Sequence, residues 1–227
     1  MLFSIVYLLS PASCAGTRAQ MLLRSRTSPL TSKLGGDGAP LGEVFTFLSS
    51  LYFRGKLAYA NAFGTPPEGW SRALVIAPGR GLVPAEQVIR IHDLREMATV
   101  PVDTREPRYR APLVRDARLL DQALGGTGSV VLLGSVATEK YVEPLGEVFG
   151  DRLLFPPSFV GRGDMSRGGL LLRCVRTGTR LEYQPVQGAT RHGPRPPRLE
   201  QPTRQRDAAA YVSRRGKTAD KAARRKK

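Results

Sequence analysis

Four residues able to handle an anion and a proton lie in one short stretch. They are Arg162, Asp164, Ser166 and Arg167 of GRGDMSRGG, set among Gly161, Gly163, Gly168 and Gly169. A guanidinium presents a planar fork that matches phosphate or carboxylate. Glycines let backbone N–H groups approach a ligand closely. Asp164 then suits a sugar hydroxyl, or the role of general base in glycosidic or nucleotidyl chemistry. The same stretch also reads as an exposed hairpin with no ligand, and both readings stand. Three other corners are rich in small residues. SPASCAGTR offers Ser13 and Arg18, PGRGL offers Gly79, Arg80 and Gly81, and GSVATEK offers Gly134 and Ser135.

Several other chemistries lack their spacing. There is no GxxxxGK[ST] loop and no GxGxxG after a strand. The two cysteines, Cys14 and Cys174, form no CxxC and have no histidine cluster beside them, which excludes a structural zinc site. They read as reduced thiols of a cytoplasmic protein. His92 and Asp93 are adjacent in sequence, and adjacent residues do not normally face each other on a helix or strand. Lys140 and Tyr141 lack the spacing that would set both on one helix face.

The elements that must position these corners alternate. IVYLL, within Leu2–Leu9, is an apolar run stopped by Ser-Pro and reads as a strand buried on both faces. As a secretory signal it lacks positive charge, since no Lys or Arg precedes Arg18, and it is far shorter than a membrane span. A short helix begins near Gly16 and Thr17, and TSPLTSKLGGDGAP reads as loop. Leu41, Val44, Phe45, Leu48, Leu51, Tyr52, Gly55, Tyr59 and Ala62 make one helical stripe of core type over 41–63, with Gly55 admitting a close neighbour. Ala73–Ala77 is a second strand. APLVRDARLLDQALGG is a helix, SVVLLGS a third strand, and residues 138–149 a helix flawed by Pro144. DRLLFPPSF is a fourth strand and GLLLRCV a fifth. The expected fold is α/β, a Rossmann-like, mostly parallel sheet of about four to five strands with helices on both faces. Its ligand edge lies at the carboxyl ends of the strands, where the four corners should converge.

Charge divides the chain at residue 185. The formal net charge is +16, of which Pro185–Lys227 carry +10. That segment is rich in Pro, Gln and Arg and poor in large apolar groups, so it is expected to be disordered, with a short helix near Asp207–Val212 on binding. Arg214, Arg215, Lys217, Lys221, Arg224, Arg225, Lys226 and Lys227 suit phosphates of DNA or RNA. With Tyr211 as its one aromatic, the tail offers little base stacking. It reads equally as a solvated tail. The division expected is an α/β domain over 1–184 and a basic tail over 185–227.

SLYFRGKLAYANAFG followed by RALVIAPGRGLVPAEQVIRIHDLREM resembles an uncharacterised bacterial α/β family akin to the YaaA-like peroxide-stress proteins, over residues 3–150. Leu51, Tyr52, Phe53, Tyr59 and Ala60 match its helix, and Gly81, Leu82 and Pro84 match its turn. His92-Asp93 stands where that family has Tyr-Asp, and LLGSVATEKYVEPL supplies a later strand and a Tyr-bearing helix. The lysine such chains carry after the first strand is absent, Arg18 being the nearest cation. The resemblance implies a link to nucleic-acid or nucleobase biology and no settled reaction.

Together these readings lead to a protein that binds a nucleotide, or a nucleotide unit of a nucleic acid, at its glycine-rich sheet edge. If a reaction is catalysed, Asp164 is the expected carboxylate, with Arg80, Arg162 and Arg167 as anion clamps. Two alternatives from other classes remain: a non-catalytic DNA- or RNA-binding accessory protein acting through its tail, and a plain interaction domain. Neither a cofactor, a metal nor a membrane partner is indicated, and oligomeric state is left open.

Overall fold

The structure, a computed structural model, describes residues 4–25 and 28–197 of the 227. The apolar run at the start becomes β1 (Ile5–Leu9), the centre of a six-stranded sheet of order β4-β3-β1-β6-β7-β8. Its neighbours β3 (Ala73–Ala77) and β6 (Ser129–Leu133) run parallel to it, and β7 (Leu153–Phe155) runs parallel to β6. β4 (Gly81–Pro84) and β8 (Gln184–Pro185) close the two edges antiparallel. A separate ribbon pairs β2 (Ala39–Pro40) with β5 (Val88–Ile89).

The pleat explains why the central strands are apolar throughout. Tyr7, Leu9, Val75, Val131 and Leu133 point into a core built with α1 (Thr17–Arg24), α2 (Pro29–Gly35), α3 (Leu41–Ser49), α4 (Leu51–Phe63), α5 (Ile91–Ala98) and α8 (Asp164–Thr177). The alternate residues Val6, Leu8, Leu74, Ile76, Val130 and Leu132 meet α6 (Pro107–Ala123) and α7 (Glu139–Phe149) on the other face. A strand with both faces buried has no polar alternation to display. The fold is therefore α/β, with a mostly parallel sheet and helices on both faces.

Several local expectations need correction. The stripe over 41–63 is two helices, broken at Ser50, whose φ of 55° is unusual for an L residue. TSPLTSKLGGDGAP is not all loop: Ser28 accepts from the Thr31 N–H, Pro29 occupies the first turn, and α2 follows. GLLLRCV is not a strand. It lies inside α8, where Gly168, Leu171 and Cys174 are buried at helical spacing. The edge place is taken by β8, and the PGRGL corner turns back into β4. The boundary at 184 falls inside the folded unit, which runs to Pro197. Beyond it, Val186 is buried and Arg191 pairs with Glu139 at 2.6 Å. The tail cations Arg214 to Lys227 and the expected helix near 207–212 lie outside the described residues.

Candidate functional site

The chain leaves β1 and β6 in opposite directions. From β1 it crosses to β3 through helices on one face of the sheet, and from β6 it crosses to β7 through α7 on the other. Adjacent parallel strands that diverge in this way leave a crevice at their carboxyl ends, the place where open α/β sheets take ligands. Ser10 and Gly134 are the first residues past β1 and β6, and they pack directly on each other. The Ser10 N–H donates to the Leu133 carbonyl at 3.3 Å.

Below Ser10 stands a cation. Lys56 of α4 is 1% exposed, and its Nζ donates to the Ser10 carbonyl at 2.6 Å and to Ser10 Oγ at 3.0 Å. The ammonium sits 4.4 Å from the centre of the Tyr52 ring and 4.9 Å from that of Phe53. Among the described residues no carboxylate is ion-paired with it. Burial pushes the amine down to about 7, Asp164 pulls it up, and Arg167 pushes it further down. The neighbouring Tyr52 hydroxyl is buried and completes no hydrogen bond, the Arg167 guanidinium of α8 being the donor that approaches it. Burial also raises the Tyr52 phenol, against the opposing pull of Arg167, while Asp164 adds to the rise. Tyr141 of α7 is raised first by burial and then by Asp164.

Asp164 acts electrostatically on Lys56, Tyr52 and Tyr141, and it is packing that sets the start of α8 near them. A glycine contact brings it there. A Cβ on Gly55 would lie 2.8 Å from the Gly168 carbonyl oxygen, and one on Gly168 would lie 2.7 Å from that of Leu51. With no side chain at either point, α4 and α8 cross at backbone contact. The Tyr52 and Phe159 rings meet edge-on at 6.3 Å beside this crossing.

No known family model, curated protein or solved structure matches this chain.

Of the four corners, the start of SPASCAGTR meets Gly134 directly, and GRGDMSRGG packs through Gly168 on α4, the helix that carries Lys56. That last stretch is the turn into α8, with Gly163 at the cap position, and so it is not a hairpin. Asp164 is 68% exposed and lies 3.7 Å from Arg167. The two arginines are braces and not open clamps. Arg162 donates to the Ser158 carbonyl, to Ser166 Oγ and to the Pro197 carbonyl, and Arg167 donates twice to the Phe159 carbonyl at 3.1 Å. Gly161 packs under the Pro194 carbonyl. Ser135 Oγ accepts from the Ala137 N–H, at the turn into α7.

The remaining expected residues serve the fold. Ser13 is exposed in the turn before α1, and Arg18 ties α1 to the Phe47 carbonyl. PGRGL is a β-hairpin in which Gly79 (φ 76°) and Gly81 (φ 80°) take left-handed conformations, and Asp116 of α6 accepts from the Leu82 N–H. Arg80 is bound by Asp93 at 2.5 Å and Glu96 at 2.6 Å, which removes it as an anion clamp. A cleft of about 510 Å³ lies there, lined by Ala77, Arg80, Val83 and Asp93, one strand over from the crevice. His92 is 62% exposed and 3.4 Å from Asp93, but that carboxylate already caps α5 by accepting from the Arg90 N–H. Both cysteines are free and buried, and burial pushes the Cys14 thiol up to about 12, so it is no nucleophile at neutral pH.

The buried polar residues past the ends of β1 and β6 differ from those singled out: Ser10, Tyr52 and Lys56 were not considered for chemistry, and Tyr141 was considered only with Lys140 and set aside. One signal for Lys56 was present: a lysine on the apolar stripe of a helix, between Phe53 and Tyr59. The structure sets its amine at the end of β1, where sequence offered only Arg18 as the nearest cation. Among the described residues no group of three His, Cys, Asp or Glu side chains is arranged to hold a metal, and no helix is long and apolar enough to cross a membrane.

Proposed function

We propose that the chain binds a nucleotide, or a nucleotide unit within a nucleic acid, in the crevice between β1 and β6. The observation that carries this reading is the buried Lys56, which has no ion-paired carboxylate among the described residues, beside the incompletely satisfied Tyr52 hydroxyl at the sheet's switch point. A buried polar group without a partner loses its hydration for nothing unless a ligand supplies the bond. The Arg167 guanidinium, with the N–H groups that open α8, favours a phosphate. The exposed Asp164 carboxylate is suited to accept from ribose hydroxyls. The resemblance to YaaA-like proteins points in the same direction.

A thermal-shift screen of nucleoside mono-, di- and triphosphates against inorganic phosphate tests it. A ligand at a hundredfold excess over its Kd is expected to add about 2.7 kcal/mol of stability. The shift should shrink at least about fivefold in affinity terms in Tyr52→Phe and Asp164→Asn, each worth roughly one charged or buried hydrogen bond. No shift with any nucleotide overturns the reading. A second reading, nucleic-acid binding through the tail alone, draws on the +10 charge of Pro185–Lys227.

A further inference from the structure

Ser10 and Lys56 have the geometry of a nucleophile and its proton acceptor. Lys56 Nζ donates to Ser10 Oγ at 3.0 Å while the Oγ–H points to the Leu133 carbonyl at 3.4 Å. A turn of the hydroxyl thus sets its proton on the amine, inside the reach a general base requires. The amine cannot wander: it is held by the Ser10 carbonyl at 2.6 Å and enclosed by the rings of Tyr52 and Phe53. The groups facing it are Ser10 from β1, Tyr52 and Phe53 from its own helix, and Asp164 and Arg167 from α8 at longer range. An apolar side chain would fill this place without the desolvation penalty of an ammonium, so packing alone gives no reason for a lysine. Burial without an ion-pair partner favours the neutral amine, whose lone pair can take the Oγ–H proton. Serine–lysine pairs of this kind are an established variant of the serine–histidine arrangement. Ser10 also directly follows the central strand at its carboxyl end, where open α/β sheets take ligands.

We propose that Ser10 is a nucleophile activated by Lys56, and that its substrate is an activated acyl ester or acyl phosphate. Oγ forms a bond to the acyl carbon while its proton passes to Nζ. The bond from that carbon to the leaving oxygen breaks and the leaving group departs with the bonding pair, the proton on Nζ going with it or, where it leaves as an anion, to solvent. Water then adds to the acyl carbon while the neutral Lys56 takes its proton. The bond from that carbon to Oγ breaks, Oγ takes the proton back from Nζ, and the carboxylic acid is released with Ser10 restored. Ser10 is 6% exposed, which favours a slender acyl group such as acetyl. Only the choice of a phosphate-bearing carrier rests on the binding reading above.

The test treats the full chain with p-nitrophenyl acetate and, separately, with acetyl phosphate, and maps acetyl adducts by mass spectrometry. A nitrophenolate burst with the adduct on Ser10 is expected. Ser10→Ala, which keeps the carbonyl that holds Lys56, should fold and lose the adduct. Lys56→Met should slow acylation of Ser10 by at least about 100-fold, the low end of what a positioned base supplies. In the unaltered chain the rate should rise with pH and level off near 7, the value to which burial brings the amine. No adduct, an adduct on Lys56 or elsewhere, or undiminished acylation in Lys56→Met overturns the proposal. If that variant does not fold, a rate that is flat between about pH 6 and about pH 8 overturns it. Acylation by the ester but not by acetyl phosphate upholds the pair and removes the phosphate-bearing carrier, so the two readings fail separately.

Discussion

At the residue scale, Lys56 gives the fold an unusual dependence on pH. Its amine titrates near 7 when folded and at 10.5 ordinarily. Below 7 both states hold the proton and the burial penalty is fully felt. Between the two values the unfolded chain holds a proton that the folded one has released, so stability rises with pH across that window. Cys14 and Tyr7 act with the opposite sign. Burial raises the thiol from 9.0 and the phenol from 10.0, each to about 12, so the folded state keeps protons that the unfolded chain gives up. Their contribution is lost as pH climbs past 9. Melting followed by circular dichroism should give a Tm that increases from pH 7 to about 9 and declines beyond it. Lys56→Met should flatten the rising limb alone; a rise that survives in the variant would assign it to another group. The lysine was visible in the sequence as a lone cation in an apolar stripe. Its partner was not, because Ser10 lies 46 positions away and only the sheet brings them together. Arg162 and Arg167 show the converse. Their anion chemistry is plain from residue type, yet a guanidinium is equally satisfied by carbonyl oxygens, and sequence does not say which will be near.

At the scale of elements, the crossing of α4 and α8 decides whether the start of α8 reaches the crevice. Gly55→Ala or Gly168→Ala sets a methyl within 3 Å of backbone on the facing helix. Overpacking of this kind should cost about 1–3 kcal/mol. Because it displaces α8, it should also weaken ligand binding more than an equally destabilising change elsewhere, such as Leu120→Ala in α6; equal effects on binding would contradict that coupling. Ser50→Gly should stabilise the α3–α4 corner by about 1 kcal/mol, since glycine relieves a backbone conformation that disfavours serine. Denaturant melts measure both. The place for a close neighbour at Gly55 was legible from its position in the stripe. The break at Ser50 was not, because the apolar spacing continues through it. GLLLRCV misled because a short apolar run has no period of its own; the burial of Gly168, Leu171 and Cys174 shows the helix only with the residues before the run included.

For the whole molecule, the limit of the folded unit at Pro197 separates two truncations. A chain ending at 184 loses half of β8, the buried Val186 and the Arg191–Glu139 pair, and should melt several degrees lower. A chain ending at 197 should keep its Tm and its nucleotide-induced shift. If the tail engages phosphates, this shorter chain should lose the part of DNA or RNA affinity that falls with salt, measured by fluorescence anisotropy across a salt series. Undiminished, salt-sensitive binding without residues 198–227 would move that role to the folded unit. The sheet's middle was readable because β1, β3 and β6 are unbroken apolar runs. Its edges were not, because β4 and β8 are four and two residues long and owe their places to the turns before them.

The central place of β1 also bears on how the polypeptide leaves the ribosome. Tyr7 to Leu9 pair on one side with residues 73–75, and Ile5 to Leu9 on the other with residues 129–133. At about 5–20 residues per second, the second partner emerges several seconds after β1 itself. During that interval IVYLL is an unsatisfied, greasy edge, open to pairing with a stranger. Folding should accordingly be slow and sensitive to holdase chaperones, and synthesis halted before residue 129 should leave nascent chains prone to aggregate.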